Sequence, residues 1–242
     1  MLARRAGGGS RYGSPMLLRE TFPVGPLECN CTVLACGDTK EALIIDPGGD
    51  VPRIREIARH HDLTIKAIIH THAHIDHIYG THEVKAQHGG AVCLHRDDMP
   101  LYSGVAMQAL MLGWQPCATV PVDRFIADGD TIEFGKNSAL VIHTPGHTPG
   151  SVCFEIEHDG DTIVFAGDTL FRRSIGRTDL PGGNQRLIIS SIQQRLYTRR
   201  PDALVIPGHG PTTTIGEEAA KNPFITAIAQ SQGQGADRGG DE

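Results

Sequence analysis

Residues 64–77, T-I-K-A-I-I-H-T-H-A-H-I-D-H, decide how this chain is read. The apolar, β-branched run Thr64–Ile69 reads as a buried strand. It runs directly into Thr71-His72-Ala73-His74-Ile75-Asp76-His77, which places four ligand-type side chains within six positions. His72 and His74 are two apart on extended backbone, so they project to one side and can clasp a single cation. Asp76 and His77 come where the chain turns into a helix. They point elsewhere and suit a second ion.

Working outward, the same arrangement recurs three times. Ala139–Ile142 leads into Thr144-Pro145-Gly146-His147, Thr162–Ala166 into Gly167-Asp168-Thr169, and Ala203–Ile206 into Pro207-Gly208-His209-Gly210. If the four strand ends share one edge, five His and two Asp converge there. That is more than the four ligands of a tetrahedral zinc, and it suits two ions with a shared carboxylate. The expected division is His72, His74 and His147 on one ion and Asp76, His77 and His209 on the other, with Asp168 bridging. Two divalent ions outweigh two carboxylates in charge, so water between them is acidic. One zinc alone lowers the pKa of water from 15.7 to about 7. The predicted site generates hydroxide without a protein nucleophile, with Asp76 and Asp168 as its catalytic carboxylates. His60, His61, His82, His88, His95 and His158 read as surface or packing residues. His70 and His143 lie within the delivering strands and are read as packing residues or supports for the ligands.

The remaining elements frame this cluster. Leu17–Val24, Asn30–Cys36 and Glu41–Asp46 read as strands, the last closed by Pro47-Gly48-Gly49. Asp50 is expected to cap a helix with Pro52 in its first turn and Val51, Ile54, Ile57 and Ala58 on its buried face. A helix is predicted from Asp76 to Gln87, a strand over Ala91–His95, and a helix over Asp97–Leu112 that turns Leu101, Val105 and Met111 inward. Phe125–Phe134 holds a turn at Asp128-Gly129-Asp130. Strands follow at Ala139–Thr144, Val152–Glu157, Thr162–Ala166 and Ala203–Ile206, with helices at Leu187–Leu196 and Pro223–Ala229. The strands come in two batches without strict alternation with helices. That pattern predicts one α/β domain, residues 16–229, with two mixed sheets face to face and helices outside. Residues 1–15 and 230–242 are expected to be disordered flanks.

Composition excludes several classes of function. The chain has 242 residues, with 22 Lys+Arg against 28 Asp+Glu, a net charge of −6. That balance argues against nucleic acid and against a polybasic membrane anchor as partners. No apolar run reaches the ~18 residues of a membrane span. The first fifteen residues lack the apolar segment of a secretory signal. Cysteines at 29, 31, 36, 93, 117 and 153 include no C-x-x-C pair. They read as reduced thiols, mostly in the core, of a cytoplasmic protein. The 29 Gly and 15 Pro imply many tight turns and disfavour a helical bundle.

The segments Thr71–His77, Thr144–His147, Gly167-Asp168-Thr169 and Gly208-His209 resemble the metallo-β-lactamase superfamily, and the likeness runs from about Met16 to Ala229. It implies a four-layer αββα sandwich with the site at one edge, and it supports the ligand division above. Within that superfamily, Asp46–Asp50, Asp168–Gly183 and Pro207–Glu217 resemble the glyoxalase II-like hydrolases, most closely the short bacterial type. The resemblance implies cleavage of a small-molecule acyl thioester such as S-lactoylglutathione. It also implies two divalent ions, zinc foremost, with iron or manganese as alternatives. Two departures bear on substrate. Only residues 210–242 follow His209, so the C-terminal helical domain that supplies glutathione contacts in full-length glyoxalase II is not expected. Tyr79-Gly80 also stands where the family usually has Gly-Gly, which makes Tyr79 a candidate substrate contact. Arg177, with Arg172 and Arg173 beside it, is a candidate to bind an anionic substrate carboxylate.

Chemistry favours a thioester. A thiol with a pKa around 8.5 leaves without a strong general acid, and the sequence offers none beyond the ligands. The alternative enzyme is a persulfide dioxygenase of the same subfamily. It would hold one iron on His72, His147 and Asp168 with positions open for O₂. Lactonase or β-lactamase activity is a further possibility. A metal-binding protein without catalysis is the reading from a different class, and the intact ligand set argues against it.

Overall fold

The computed structural model describes residues 16–225. The expected flanks 1–15 and 230–242, and residues 226–229 of the last predicted helix, lie outside the described residues. The chain opens with strands β1 (Leu17–Val24), β2 (Cys29–Cys36) and β3 (Glu41–Ile45), then helix α1 (Val51–His60) and β4 (Thr64–Ile69). Two short helices, α2 (Ile75–Ile78) and α3 (Thr81–His88), lead to β5 (Ala91–His95). Helices α4 (Met99–Ser103) and α5 (Val105–Leu112) precede β6 (Arg124–Ile126), β7 (Thr131–Phe134), β8 (Asn137–His143), β9 (Val152–His158) and β10 (Asp161–Gly167). A small hairpin, β11 (Leu170–Phe171) with β12 (Ser174–Ile175), is followed by α6 (Gln185–Ser191), β13 (Leu204–Pro207), β14 (Thr213–Thr214) and α7 (Ile215–Lys221).

The strands form two six-stranded sheets, ordered β1-β2-β3-β4-β5-β6 and β14-β13-β10-β9-β8-β7. Both are mixed. β3, β4, β5 and β6 pair in parallel in the first, and β10 pairs in parallel with β13 in the second. Leu43, Ile45, Ile69, Phe134, Val141, Phe154, Phe165 and Ile206 fill the space between the sheets. α1 covers the outer face of the first sheet through Val51, Ile54, Ile57 and Ala58, as the 3.6-residue spacing predicts. α6 and α7 cover the second through Ile188, Ile189 and Ile215. Helix, sheet, sheet and helix make the four expected layers. β2 is buried on both faces whereas the edge strand β1 alternates, since each apolar face must meet another layer. Burying each Phe or Ile of the central layer stabilises by roughly 1.5–3 kcal/mol, so this layer dominates the fold.

Several local expectations are corrected. The helix predicted over Asp76–Gln87 is broken at Tyr79-Gly80, where the Gly80 N–H donates to the Pro47 carbonyl at 2.8 Å. The helix predicted over Asp97–Leu112 is a 3₁₀ turn at Arg96–Asp98 followed by α4 and α5, parted at Gly104. The break changes the inward face. Tyr102, Val105 and Ala109 are buried, while Met111, predicted inward, is 79% exposed. The predicted helix Leu187–Leu196 starts earlier, and its last turn, Ile192–Leu196, is a π turn. Asp50 does not cap α1. Its carboxylate instead accepts the Gly25 N–H at 2.8 Å. The β11–β12 hairpin, β14 and α7 were not anticipated. All six cysteines are free, five buried and Cys117 half-buried, as expected. Among the described residues no helix is long and apolar enough to cross a membrane.

Candidate metal centre

The parallel register of β3 and β4, and of β10 and β13, brings the four ligand-bearing loops to one edge of the sandwich. All seven expected ligands meet there. His72 Nε2 lies 3.2 Å from His147 Nε2, and His74 Nδ1 lies 2.9 Å from the same atom. His77 Nε2 lies 3.3 Å from His209 Nε2, and His209 Nε2 lies 3.0 Å from Asp76 Oδ2. Asp168 stands between the two groups. Its Oδ2 faces His147 Nε2 at 3.5 Å, while its Oδ1 faces His77 Nε2 at 3.4 Å and His209 Nε2 at 3.7 Å.

These separations match the edges of a tetrahedron, about 3.3 Å, around an ion with bonds near 2.0–2.1 Å. The donor chemistry matches as well. His147 Nδ1 donates to the Arg177 carbonyl at 2.8 Å, and His209 Nδ1 donates to the Leu27 carbonyl at 2.9 Å. His77 Nδ1 donates to Asp46 Oδ2 at 3.0 Å. The Thr71 hydroxyl donates to Asp46 Oδ2 at 2.6 Å, so it accepts from His72 Nδ1 at 3.1 Å. Each bond fixes a tautomer and leaves an Nε2 lone pair aimed inward. Two of these nitrogens, those of His77 and His209, face Asp168 Oδ1, a buried oxygen with no hydrogen-bond donor among the described residues. Lone pairs turned on an orphaned carboxylate oxygen form a site that a cation satisfies.

Electrostatics hold part of the ligand set in metal-binding form, whereas at His77 and His209 burial, which acts to lower the ring, is outweighed by neighbouring groups, Asp168 and Asp76 among them, that raise both. Burial, with His77 and His147 close by, holds His72 well below the usual imidazole range. Burial, then His147 and His77, lowers His74 to about 4. Burial acts to raise Asp168, but His77, His147 and His209 outweigh it and hold the carboxyl below its ordinary value. Asp76 is likewise lowered, against burial, by His77 and His209. Neutral imidazoles beside ionised carboxylates are the forms that ligate. Cys29 Sγ lies 3.5 Å from His77 Nδ1 and within 4.8 Å of a His209 ring nitrogen, and burial pushes its thiol up to about 12. It stays protonated and packs, as its sequence context implied.

The expected substrate contacts fare differently. The exposed Arg177 guanidinium closes on Asp179 through two bonds of 2.8 Å, and it is the Arg177 carbonyl that reaches the centre. Arg173 pairs with Glu217 and Glu218. Arg172 is exposed and pairs with no acid among the described residues. The Tyr79 ring lies edge-on to Trp114 at 5.4 Å, and its hydroxyl donates to the Gln115 carbonyl at 3.2 Å. His70 touches none of the ligating atoms. Its Nε2 meets the Thr81 hydroxyl at 3.2 Å. His143 stacks on His95 at 4.2 Å. Sequence reasoning gave no role to Asp46, although that residue holds both Thr71 and His77. Its place at the end of β3, beside Pro47-Gly48-Gly49, was the available signal. The carbonyls of Leu27 and Arg177 had none.

Comparison with known proteins agrees with this geometry. A family model described as the metallo-beta-lactamase superfamily matches residues 24–209. An uncharacterized protein of Mycobacterium tuberculosis is 42% identical, over 88% of this chain and all of the relative. Hydroxyacylglutathione hydrolase GloC of Haemophilus influenzae is 36% identical, over 86% of this chain and 98% of its own. The human mitochondrial persulfide dioxygenase ETHE1 is 31% identical, over 90% and 79%. Among solved structures, the BLEG-1 B3 metallo-beta-lactamase superposes with a TM-score of 0.76 at 36% identity, covering 86% of this chain and all of that one. TTHA1623, solved in a di-iron-bound form, superposes with a TM-score of 0.74 at 36% identity, covering 85% and 99%. In its sequence and in its fold, this chain belongs to the metallo-beta-lactamase superfamily.

Proposed function

We propose that this protein is a metal-dependent hydrolase that cleaves a small acyl thioester of the S-lactoylglutathione kind, using two divalent ions. The observation that carries the reading is the stance of Asp168, with one oxygen turned to each group of ligands. The likeness to GloC, across nearly all of that protein, supports the thioester. His72, His74 and His147 would hold one ion and Asp76, His77 and His209 the other, with zinc, iron or manganese suiting the N/O donor set. Bound ions would acidify a shared water and polarise the acyl oxygen.

The chain's own residues do the rest. Asp168 fixes the spacing of the two ligand groups. Asp76, 3.0 Å from His209 Nε2, is the carboxylate we assign to relay the proton that the attacking water gives up toward the departing thiolate. A thiolate leaving group needs no acid from the protein, and none stands at the site apart from the ligands. Tyr79 is the side chain we assign to the acyl or thiol arm. Arg172 replaces Arg177 as the candidate for a substrate carboxylate, because Asp179 already occupies the Arg177 guanidinium.

A second reading, a persulfide dioxygenase with one iron on His72, His147 and Asp168, is favoured by the likeness to ETHE1. One experiment separates the two. Elemental analysis of the purified protein is run beside anaerobic turnover of a thioester panel and oxygen uptake on glutathione persulfide. Two ions with anaerobic thioester cleavage, abolished in Asp168→Ala, support the hydrolase. One iron with oxygen consumption and no thioester cleavage rejects it.

A further inference from the structure

The ligand segment His72–Ile75 lies outside any strand, so side chains must hold its backbone. Two do so. Asp98, fully buried in the 3₁₀ turn before α4, accepts the Ala73 N–H on Oδ2 at 2.9 Å. Gln108 of α5 donates to the Ala73 carbonyl at 3.1 Å and accepts the Ile75 N–H at 2.9 Å. Asp98 alone also reaches the other sheet. Its Oδ2 accepts the Thr148 hydroxyl at 2.9 Å and its Oδ1 accepts the Gly150 N–H at 2.6 Å, both in the loop that carries His147. One carboxylate therefore spans the peptide between His72 and His74 in one sheet and the residues after His147 in the other.

We infer that Asp98 is a positioning residue for the first ion, setting the distance between the His72/His74 loop and the His147 loop. This rests on the two-ion reading above. The 3.2 Å and 2.9 Å spacings from His147 Nε2 to His72 and His74 cross the same gap that Asp98 bridges. All three groups that Asp98 binds are donors. A carboxylate can accept from all of them, whereas an amide would turn an N–H₂ toward at least one. The second group of ligands has other anchors. Asp46 holds His77, the Leu27 carbonyl holds His209, and the Asn30 side chain binds the carbonyls of Pro207 and Gly210 on either side of the His209 loop. Loss of Asp98 should thus loosen one ion and spare the other.

The test compares wild type, Asp98→Asn and Thr148→Val with Phe154→Leu, a variant in the apolar layer between the sheets that makes none of Asp98's bonds. Each is loaded with Co²⁺, and stoichiometry, visible spectrum and chelator competition are measured. Wild type and Phe154→Leu should keep two ions whatever the change in melting temperature. Asp98→Asn should keep one ion tightly and bind the other at least about 10-fold more weakly, the usual scale for removing a ligand's support. Thr148→Val, lacking one of three bonds, should fall between, and Thr148→Ser should restore wild-type binding. The inference is overturned if Asp98→Asn and Thr148→Val bind both ions like wild type. It is also overturned if they weaken both ions equally. A wild-type protein that takes up no second ion is a distinct result, which removes the two-ion reading and this inference with it.

Discussion

Replacing Gly208 by alanine puts a methyl group into the metal centre without straining the backbone. Gly208 is not among the glycines with positive φ, so alanine can adopt its conformation. The added Cβ would lie 2.1 Å from Asp168 Oδ1, 2.8 Å from His77 Cε1 and 3.0 Å from the Gly167 carbonyl carbon. Ordinary contact begins at 3.4 Å, so that oxygen must retreat by more than about 1 Å. A metal site tolerates roughly 0.2 Å in its bond lengths. The expected result is loss of the Asp168 Oδ1 ligand and an affinity for the second ion weakened at least ~100-fold, about 2.8 kcal/mol. Hydrolysis should fall with it, while far-ultraviolet circular dichroism stays native. Gly210, two residues on, is the matched control. Its φ is 72° and nothing lies within 4 Å of an added Cβ. Alanine there should cost about 1–2 kcal/mol of backbone strain and lower the melting temperature by several degrees, with both ions retained. Chelator competition and thermal melts on the two variants make the comparison. A Gly208→Ala protein that binds two ions with wild-type affinity would mean that Asp168 is not the bridge.

Further expectations follow from buried groups. Asp46→Asn, which disturbs the carboxylate holding Thr71 and His77, should weaken metal binding about 10–100-fold by competition titration; an unchanged affinity refutes the role given to Asp46. Glu218 is fully buried and accepts from Arg173, Thr213 and Asn222, so Glu218→Ala strands several donors and should cost roughly 2–4 kcal/mol in urea unfolding. A loss under about 0.5 kcal/mol, the scale of ordinary surface substitutions, contradicts that account. Burial, then the stacked His143, holds His95 below its ordinary pKa, so the unfolded chain takes up the His95 proton first as pH falls. The stabilisation linked to His95 is complete above the unfolded pKa of about 6.5 and is lost as pH drops through the lower folded value. Melting temperatures measured from pH 7 to pH 5 should therefore fall less steeply in His143→Asn than in wild type, and parallel slopes dismiss the coupling.

Much of the centre was legible because its information is local. Four ligands within Thr71–His77 need only one strand and one turn to acquire their directions, and His147, Asp168 and His209 each repeat a strand followed by a bend. The two-sheet architecture was legible from runs of apolar residues such as Glu41–Ile45 and Thr64–Ile69. Strand order was not, because pairing partners such as β10 and β13 are far apart in sequence. The helix breaks escaped notice for a related reason. Gly80 ends α2 because its N–H is claimed by Pro47, more than thirty residues earlier in the chain. Met111 was placed inward by a periodicity that assumed an unbroken helix, whereas the break at Gly104 resets the phase. The partners of the distal imidazole nitrogens were least legible. Two are main-chain carbonyls, which any residue supplies, so Leu27 and Arg177 carry no mark of their part in the centre.

Those distal bonds have an energetic consequence. They turn the inner nitrogens toward one another and toward the oxygens of Asp168, where a bound cation would replace the protons that His77 and His209 favour. Neither sheet supplies a complete set of ligands. His72 and His74 from the first sheet meet His147 from the second, and Asp76 and His77 from the first meet His209 from the second, with Asp168, also from the second, between the two sets. Each ion would therefore draw the sheets together at the edge where their loops are least supported by strand pairing. A ligand present at 1,000 times its Kd stabilises the state it binds by about 4.1 kcal/mol. That is a large share of the ~5–15 kcal/mol by which native proteins are stable. The central layer around Phe154 and Phe165 holds the sheets in register. The ions would add cohesion at one edge of that layer, so occupancy of the centre and stability of the sandwich should rise and fall together.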